Sequence, residues 1–392
     1  MQHLHHMADP RPHAIALYGA TGFTGKLVAE ALARRGFSNW ALAGRNMEKL
    51  AQVRDELGLG AGFPLLQADA GEPASLEQLC KQAGLVVTTV GPYQIHGSGL
   101  VETCARTGTD YMDLNGEPVW MKAMIEAHSE AAQKSGARIL FSTGFDSIPS
   151  DLGVWFLQQA AIKEFGKPLP RIKGRVRKMK GDASGGTMAS MKATLKATIK
   201  DPESRKALGD PFALTPGFVG PDQPAGMVPE FNQSEGFWEV PFAMAAINTK
   251  NVHRSNFLLG FPYGKDFVYD EMMFTTIKDA AMAAADVVKK LSMFGGKSHK
   301  KGEGPSKEER ESGYYELAFY GSFPDGRTLT ASVAGDADPG YGSTSKMMAE
   351  TALCLKTLPR EKGGCFTTAA LMPEQLIAAL QKHAGITFRL ED

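Results

Sequence analysis

From Ala14 to about Gly144 the chain alternates short apolar runs with segments of helical period. The runs read AIALYG, WALAG, FPLLQAD, LVVTTVG, YMDLNG and RILFSTG, and the helical segments between them fall at 25–35, 46–57, 75–83, 98–107 and 118–135. Six strands separated by helices predict a parallel, doubly wound sheet of Rossmann type, because parallel neighbours need long crossover connections. Gly36, Gly58, Gly84, Gly108 and Gly136 each follow the last apolar-periodic residues of a helix, where a left-handed cap is needed.

After Pro149 the pattern changes, and a second, smaller α+β domain is expected. A helical SDLGVWFLQQAAIKEFG leads into a strand-like RIKGRVRKMKG, whose basic residues read as solvated, and then into a Pro/Gly-rich stretch from Asp201 to Gly236 without clear period. Segment 266–294 reads as one long helix, in which Phe267, Met272, Met273, Phe274, Ile277, Met282, Val287 and Leu291 offer a broad apolar surface. The polar run 295–313 reads as a loop, two strands flank a turn at Pro324, Asp325 and Gly326, and SKMMAETALCLKTL and PEQLIAALQKHAG supply two final helices. The expected division is a disordered tail at 1–13, a nucleotide-binding domain at 14–148, a substrate domain at 149–340, and C-terminal helices at 341–392 that pack back on the nucleotide domain.

Length and charge narrow the partners. A chain of 392 residues is long for one globular unit, so two domains sharing a cleft are expected. Its 43 basic residues balance 43 acidic ones, so no net field draws it to nucleic acid. Cys80, Cys104, Cys354 and Cys365 form no CxxC pair, which argues against structural zinc or a disulfide scaffold and fits a cytoplasmic location. No apolar run reaches the length of a signal core or a membrane span. His3, His5 and His6 belong to the N-terminal tail and are not read as a metal site.

The glycines of YGATGFTGKL carry the first chemical signal, because they follow the first strand and open the first helix. Gly19 permits a tight turn, Gly22 leaves room for a pyrophosphate, and Gly25 lets helix and strand pack closely, while Thr21 and Thr24 bring hydroxyl donors. A packing turn is the alternative, since GxxGxxG is less diagnostic than GxGxxG. At the end of the second strand, LAGRN puts Arg45 where an NAD site usually has an acid, and Asn46 and Lys49 follow it, which favours the 2′-phosphate of NADP(H). Asp69, ending the third strand, is a candidate acceptor for the adenine amine or a surface helix cap. Beyond the fourth strand Gly91 and Pro92 bring backbone toward the nicotinamide, with Tyr93 and His96 as candidate proton donors. No tyrosine among Tyr93, Tyr111, Tyr263 and Tyr341 begins a YxxxK pair.

The motifs GATGFTGKL, AGRN, TTVGPY, YMDLNGE, STGFDSIPSD and DADPGYGSTSKMMAETALCL together resemble the saccharopine dehydrogenase-like oxidoreductases, and especially their trans-acting enoyl reductase branch. The resemblance runs from about Ala14 to the C-terminus. It implies an NADP-binding Rossmann domain joined to a smaller α/β substrate domain. It carries the phosphate loop over to Gly19, Thr21, Gly22, Phe23, Thr24 and Gly25, the 2′-phosphate contact to Arg45, and the nicotinamide-side loop to Gly91, Pro92 and Tyr93. Asp146, Ser147 and Ser150 would then face the cleft at the domain junction.

The leading expectation is an NADPH-dependent reductase of a C=C bond conjugated to a carbonyl in an apolar or acyl-chain substrate, in lipid metabolism, with Tyr93, Asp146 and His96 as acid candidates and no metal. A saccharopine-type C–N dehydrogenase and a non-catalytic NADP(H) sensor are the alternatives. Homodimerisation and peripheral membrane contact stay open.

Overall fold

A computed structural model describes residues 10–181, 201–233, 236–276 and 304–391. Its first sheet holds β1 (His13–Tyr18), β2 (Trp40–Gly44), β3 (Leu65–Gln67), β4 (Ala83–Thr88), β5 (Asp110–Met112), β6 (Arg138–Leu140) and the late strand β13 (Gly364–Phe366). All pairings are parallel, in the order β13-β6-β5-β4-β1-β2-β3. β4 is buried along its whole length, as expected of a strand covered on both faces. The crossovers are α1 (Phe23–Arg34), α2 (Met47–Glu56), α3 (Pro73–Gln82), α5 (Ser98–Thr107) and α6 (Pro118–Ser135), with a single turn, α4 (Tyr93–His96), after β4. Gly36, Gly58, Gly108 and Gly136 take positive φ, as a left-handed helix stop requires. Gly84 does not, because α3 runs through Ala83 directly into β4.

α7 (Ile148–Phe165) leads into a second sheet of β7 (Arg171–Lys180), β8 (Glu230–Asn232), β9 (Phe237–Pro241), β10 (Val268–Thr275), β11 (Tyr314–Ser322), β12 (Thr328–Gly335) and β14 (Ile386–Glu391). The order is β14-β12-β11-β7-β10-β9-β8, with β7 and β10 parallel and the other neighbours antiparallel. The expected hairpin at Pro324–Gly326 joins β11 to β12. α7 lies on this sheet so closely that a Cβ at Gly153 would fall 2.3 Å from the ring of Phe319.

Three readings of this half are corrected. Val268–Thr275 is a strand and not the start of a helix: its buried run from Tyr269 to Met272 is covered on both faces, which hides the alternation that marks a strand. The remainder of the expected helix, 277–294, lies outside the described residues. Within the expected loop 295–313, Lys307–Glu311 is helical, started by a capping box between Ser306 and Glu309. The stretch 201–236 holds α8 (Pro202–Gly209), capped by Asp201, and β8.

α9 (Ala245–Leu258) was signalled by no hydrophobic period, because its buried residues include Asn248, Lys250, Asn251, His253, Arg254, Ser255 and Asn256. These side chains serve as fasteners: Arg254 donates to the carbonyls of Leu214 and Cys365, each at 2.6 Å, and Lys250 to that of Leu208 at 2.8 Å. After α10 (Lys307–Glu311) and a π-turn at Pro339–Ser343, α11 (Thr344–Thr357) packs against α1. The short α12 (Thr368–Leu371) and α13 (Pro373–His383) follow. Leu32 and Val28 of α1 and Met347, Met348 and Leu355 of α11 join one core that continues through Leu152 to Phe319 and Val333 of the second sheet. Each such side chain contributes about 1.5–3 kcal/mol by burial, so the two sheets are cemented by shared apolar packing. Among the described residues no helix is long and apolar enough to cross a membrane.

Candidate active site

The turn from β1 into α1 is shaped by its three glycines in three ways. Gly19 has φ +91°, and a Cβ there would lie 2.7 Å from Thr89 Oγ1 and 2.8 Å from Val90 Cγ2. At Gly25 a Cβ would fall 2.1 Å from the carbonyl oxygen of Gly19, so only glycine lets α1 approach its own entry turn. Gly22 is held by neither constraint: its backbone is extended, and within 4 Å a Cβ would meet only Gly19 O, at 3.3 Å. The space over the first turn of α1 is therefore open, and no side chain caps the helix at Gly22. Uncapped N–H groups at the positive end of a helix, under a bare Cα, fit a pyrophosphate. Thr21 and Thr24 flank the cradle half-buried. The ring of Phe23 packs edge-on against Tyr341 with centroids 5.2 Å apart.

The adjoining strand ends converge on Tyr18. Burial and the charge of Asp69 push its phenol up to about 12, against the opposing pull of Arg45, so both residues stand close to it. Arg45 is exposed immediately beyond β2. Asn46 Oδ1 is occupied as the cap of α2, accepting from Lys49 N at 2.9 Å. Asp69 Oδ1 likewise accepts from Gly71 N at 2.9 Å and shapes the turn before α3.

On the other side of β1, Gly91 is exposed and Pro92 half-buried at the end of β4. Tyr93 turns inward: its hydroxyl donates to Thr88 O at 3.1 Å, and burial with the nearby Asp113 holds the phenol well above its ordinary pKa. His96 is exposed at the end of α4. The YMDLNGE segment has a role that its sequence does not announce. Asp113 accepts from Asn115 N at 3.0 Å, Ser142 N at 2.9 Å and Tyr111 Oη at 2.8 Å, tying the loops after β5 and β6 together. Glu117 accepts from Tyr93 N at 3.0 Å and Gln94 N at 2.9 Å and fixes the Gly-Pro-Tyr loop. A carboxylate aimed at backbone N–H groups gives no periodic or spacing signal, only the polar density of the motif.

Asp146 lies where the nucleotide domain meets the second sheet. A Cβ at Gly116 would come within 3.2 Å of its Oδ2, so this carboxyl stands over the loop that follows β5. Burial first, and then the charge of Glu271, pushes it up to about 7. Glu271, on β10, is itself raised by burial; it accepts from Tyr269 Oη at 2.5 Å and from Asn248 Nδ2 at 2.8 Å. One turn further along α9, Asn251 Nδ2 donates to Ser147 Oγ at 2.8 Å. A single helix thus holds both the Asp146–Ser147 loop and the carboxyl opposite it. Asn248 Oδ1 and Asn251 Oδ1, both buried here, have no hydrogen-bond partner among the described residues. Asp151 is structural: it accepts from Ser255 Oγ and from Ala369 N, the latter at 2.9 Å, joining α7, α9 and α12.

The basic strand β7 departs from its solvated reading at its arginines, while Lys173, Lys178 and Lys180 are exposed as read. Arg175 is buried between Glu239 and Asp270, at 2.6 and 2.9 Å, and Arg171 pairs with the same Asp270. Arg177 reaches Glu391 at 2.6 Å and Glu316 at 3.2 Å.

Comparison with known proteins agrees with this geometry. Residues 15–140 match the family model described as the saccharopine dehydrogenase NADP binding domain. A protein of Mycobacterium leprae named trans-acting enoyl reductase is 37% identical, over 96% of this chain and 97% of its own. One of the same name from Mycobacterium tuberculosis is 37% identical over 94% and 96%. Among solved structures, apo saccharopine dehydrogenase (L-Glu forming) from Saccharomyces cerevisiae superposes with a TM-score of 0.53 at 11% identity, covering 97% of this chain and all of that one, a likeness of fold. With a cradle that fits its cofactor and relatives matching from end to end, the chain belongs to the saccharopine dehydrogenase-like family of NADP-dependent oxidoreductases, in the trans-acting enoyl reductase branch.

Proposed function

We propose that the protein reduces a C=C bond conjugated to a carbonyl in an apolar, acyl-chain substrate. Bound NADPH supplies the hydride, directed to the β-carbon. Asp146 supplies the proton to the α-carbon, and it is the observation that carries the reading: a carboxyl at the domain junction, held protonated up to about pH 7 by burial and by Glu271. Tyr93 suits this task less, since its hydroxyl is spent inside the domain on Thr88 O. His96 is exposed and has no comparable placement. Gly91 and Pro92, steadied through Glu117, border the nicotinamide side of the cleft. Relatives that share nearly the whole chain bear the name trans-acting enoyl reductase, which supports the same chemistry here. The saccharopine-type alternative needs cations for a substrate with several carboxylates, and Arg171, Arg175 and Arg177 are each engaged by acidic partners.

The test is NADPH oxidation with α,β-unsaturated acyl thioesters, run beside saccharopine and its precursors. Unsaturated thioesters should be turned over by the wild type. Asp146→Asn should lower kcat by about 100-fold or more with NADPH affinity unchanged, the usual scale of general acid catalysis. Tyr93→Phe should keep most of the turnover. Turnover of saccharopine alone, or full activity in Asp146→Asn, would defeat the proposal, and tight NADPH binding without any turnover would favour a sensor.

A further inference from the structure

We propose that Arg310, on α10 in the second half of the chain, is a ligand of the cofactor's pyrophosphate. Its guanidinium lies over the ring of Phe23, 5.4 Å from the centroid, and Phe23 is the first residue of α1, at the rim of the cradle. The loop GATGFTG contains no basic residue, and Lys26, the first to follow, is paired with Glu56 at 2.9 Å. Backbone N–H groups and the helix end therefore meet the pyrophosphate's two negative charges without a formal positive charge from the loop itself. Among the described residues Arg310 brings a guanidinium to the Phe23 side of that turn, and a guanidinium is the group best shaped to bridge phosphate oxygens.

Its placement is built and not incidental. The capping box at Ser306 and Glu309 starts α10. Arg310 donates through Nη1 to Pro305 O at 2.6 Å, and its own carbonyl accepts from Asp338 N at 2.9 Å. Asp338 is fixed in turn by accepting from Tyr341 N at 2.9 Å and Gly342 N at 2.8 Å. Glycines let this segment lie close on both sides: a Cβ at Gly304 would fall 2.3 Å from the Phe23 ring, and one at Gly313 2.4 Å from Asp338. The polar segment and the π-turn thus hold one half-buried arginine against the entrance of α1, with the face of Phe23 orienting it by cation–π attraction.

Pyrophosphate is common to NADPH and NADH, whereas the 2′-phosphate is not, and this separates Arg310 from Arg45. Titration calorimetry of Arg310→Ala should show affinity for NADPH and for NADH lowered by the same factor, about 10-fold, the lower end for a charge-assisted hydrogen bond. Affinity for adenosine 2′-monophosphate, which has no pyrophosphate, should not change. Should Arg310→Ala lower the melting temperature of the ligand-free protein, Arg310→Gln is read in its place, since it keeps a side chain over Phe23 and a donor for Pro305 O. Unaltered affinity for both dinucleotides overturns the proposal, as does a loss confined to NADPH, which would put Arg310 at the 2′-phosphate. A wild type that binds neither dinucleotide would refute the cofactor assignment itself, a different failure.

Discussion

The three loop glycines should respond to substitution in opposite ways, and the contrast can be worked out from the distances. At Gly22 the backbone is extended (φ −78°, ψ 165°), allowed for any residue, and a Cβ meets only Gly19 O at 3.3 Å. Gly22→Val therefore costs the fold little: about 1 kcal/mol for a poorer N-cap, offset by about 0.4–1 kcal/mol from a stiffer unfolded chain. The methyl groups instead occupy the space that the pyrophosphate needs, and at least a 100-fold loss of NADPH affinity is expected. Gly25→Ala reverses the pattern. Its Cβ would sit 2.1 Å from Gly19 O, a backbone atom that cannot rotate away, so α1 must shift off the turn. Overpacking of this kind costs about 1–3 kcal/mol or more. Thermal denaturation with and without NADPH, together with calorimetric titration, reads both effects. Gly22→Val that binds NADPH normally, or that unfolds as readily as Gly25→Ala, would refute the cradle.

Arg45→Ala should weaken NADPH binding by about 1–3 kcal/mol and leave NADH binding nearly unchanged, as one charged hydrogen-bonded contact is lost; equal losses in calorimetry would remove Arg45 from the 2′-phosphate. Because the proton donor must carry its proton, kcat should fall as pH rises through about 7, where Asp146 ionises. Glu271→Gln removes the negative charge that raises this group, so the falling limb should move to lower pH; a limb that stays in place would mean that Glu271 only packs.

Except for β13, which lies within the segment read as C-terminal helices, the first sheet was legible, because its strands are short, mostly apolar runs that alternate with helical segments. The second was less so. Asp270 and Glu271 interrupt the apolar run of β10 although both are buried, one paired with Arg175 and the other hydrogen-bonded to Tyr269 and Asn248, so the strand's alternation is lost. Helix α9 fails the same test, since its inward face carries amides, an ammonium and a guanidinium, with Lys250 and Arg254 donating to distant carbonyls. At the candidate site the geometry of the glycine turn could be read directly, because its conformational needs and local spacing coincide there. The inward turn of Tyr93 could not, because it depends on where Thr88 O lies once β4 is in the sheet. Arg310 stood in a polar run whose composition suggested a solvated loop, and its position comes from contacts far apart in sequence, among them Asp338 N and the ring of Phe23.

The late chain supplies one strand to each sheet: β13 lies beside β6 at one edge of the first, and β14 beside β12 at one edge of the second. During synthesis the first sheet lacks an edge strand until Gly364–Phe366 has emerged, and the second until Ile386–Glu391 has, however early the nucleotide-binding segment appears. A chain cut short before Gly364 would leave unpaired backbone along β6 and β12 at once, two edges open to the wrong partner. These two late strands thus act as a completeness check, and a product cut short before them should be found aggregated or degraded, with no half-active nucleotide binder left behind.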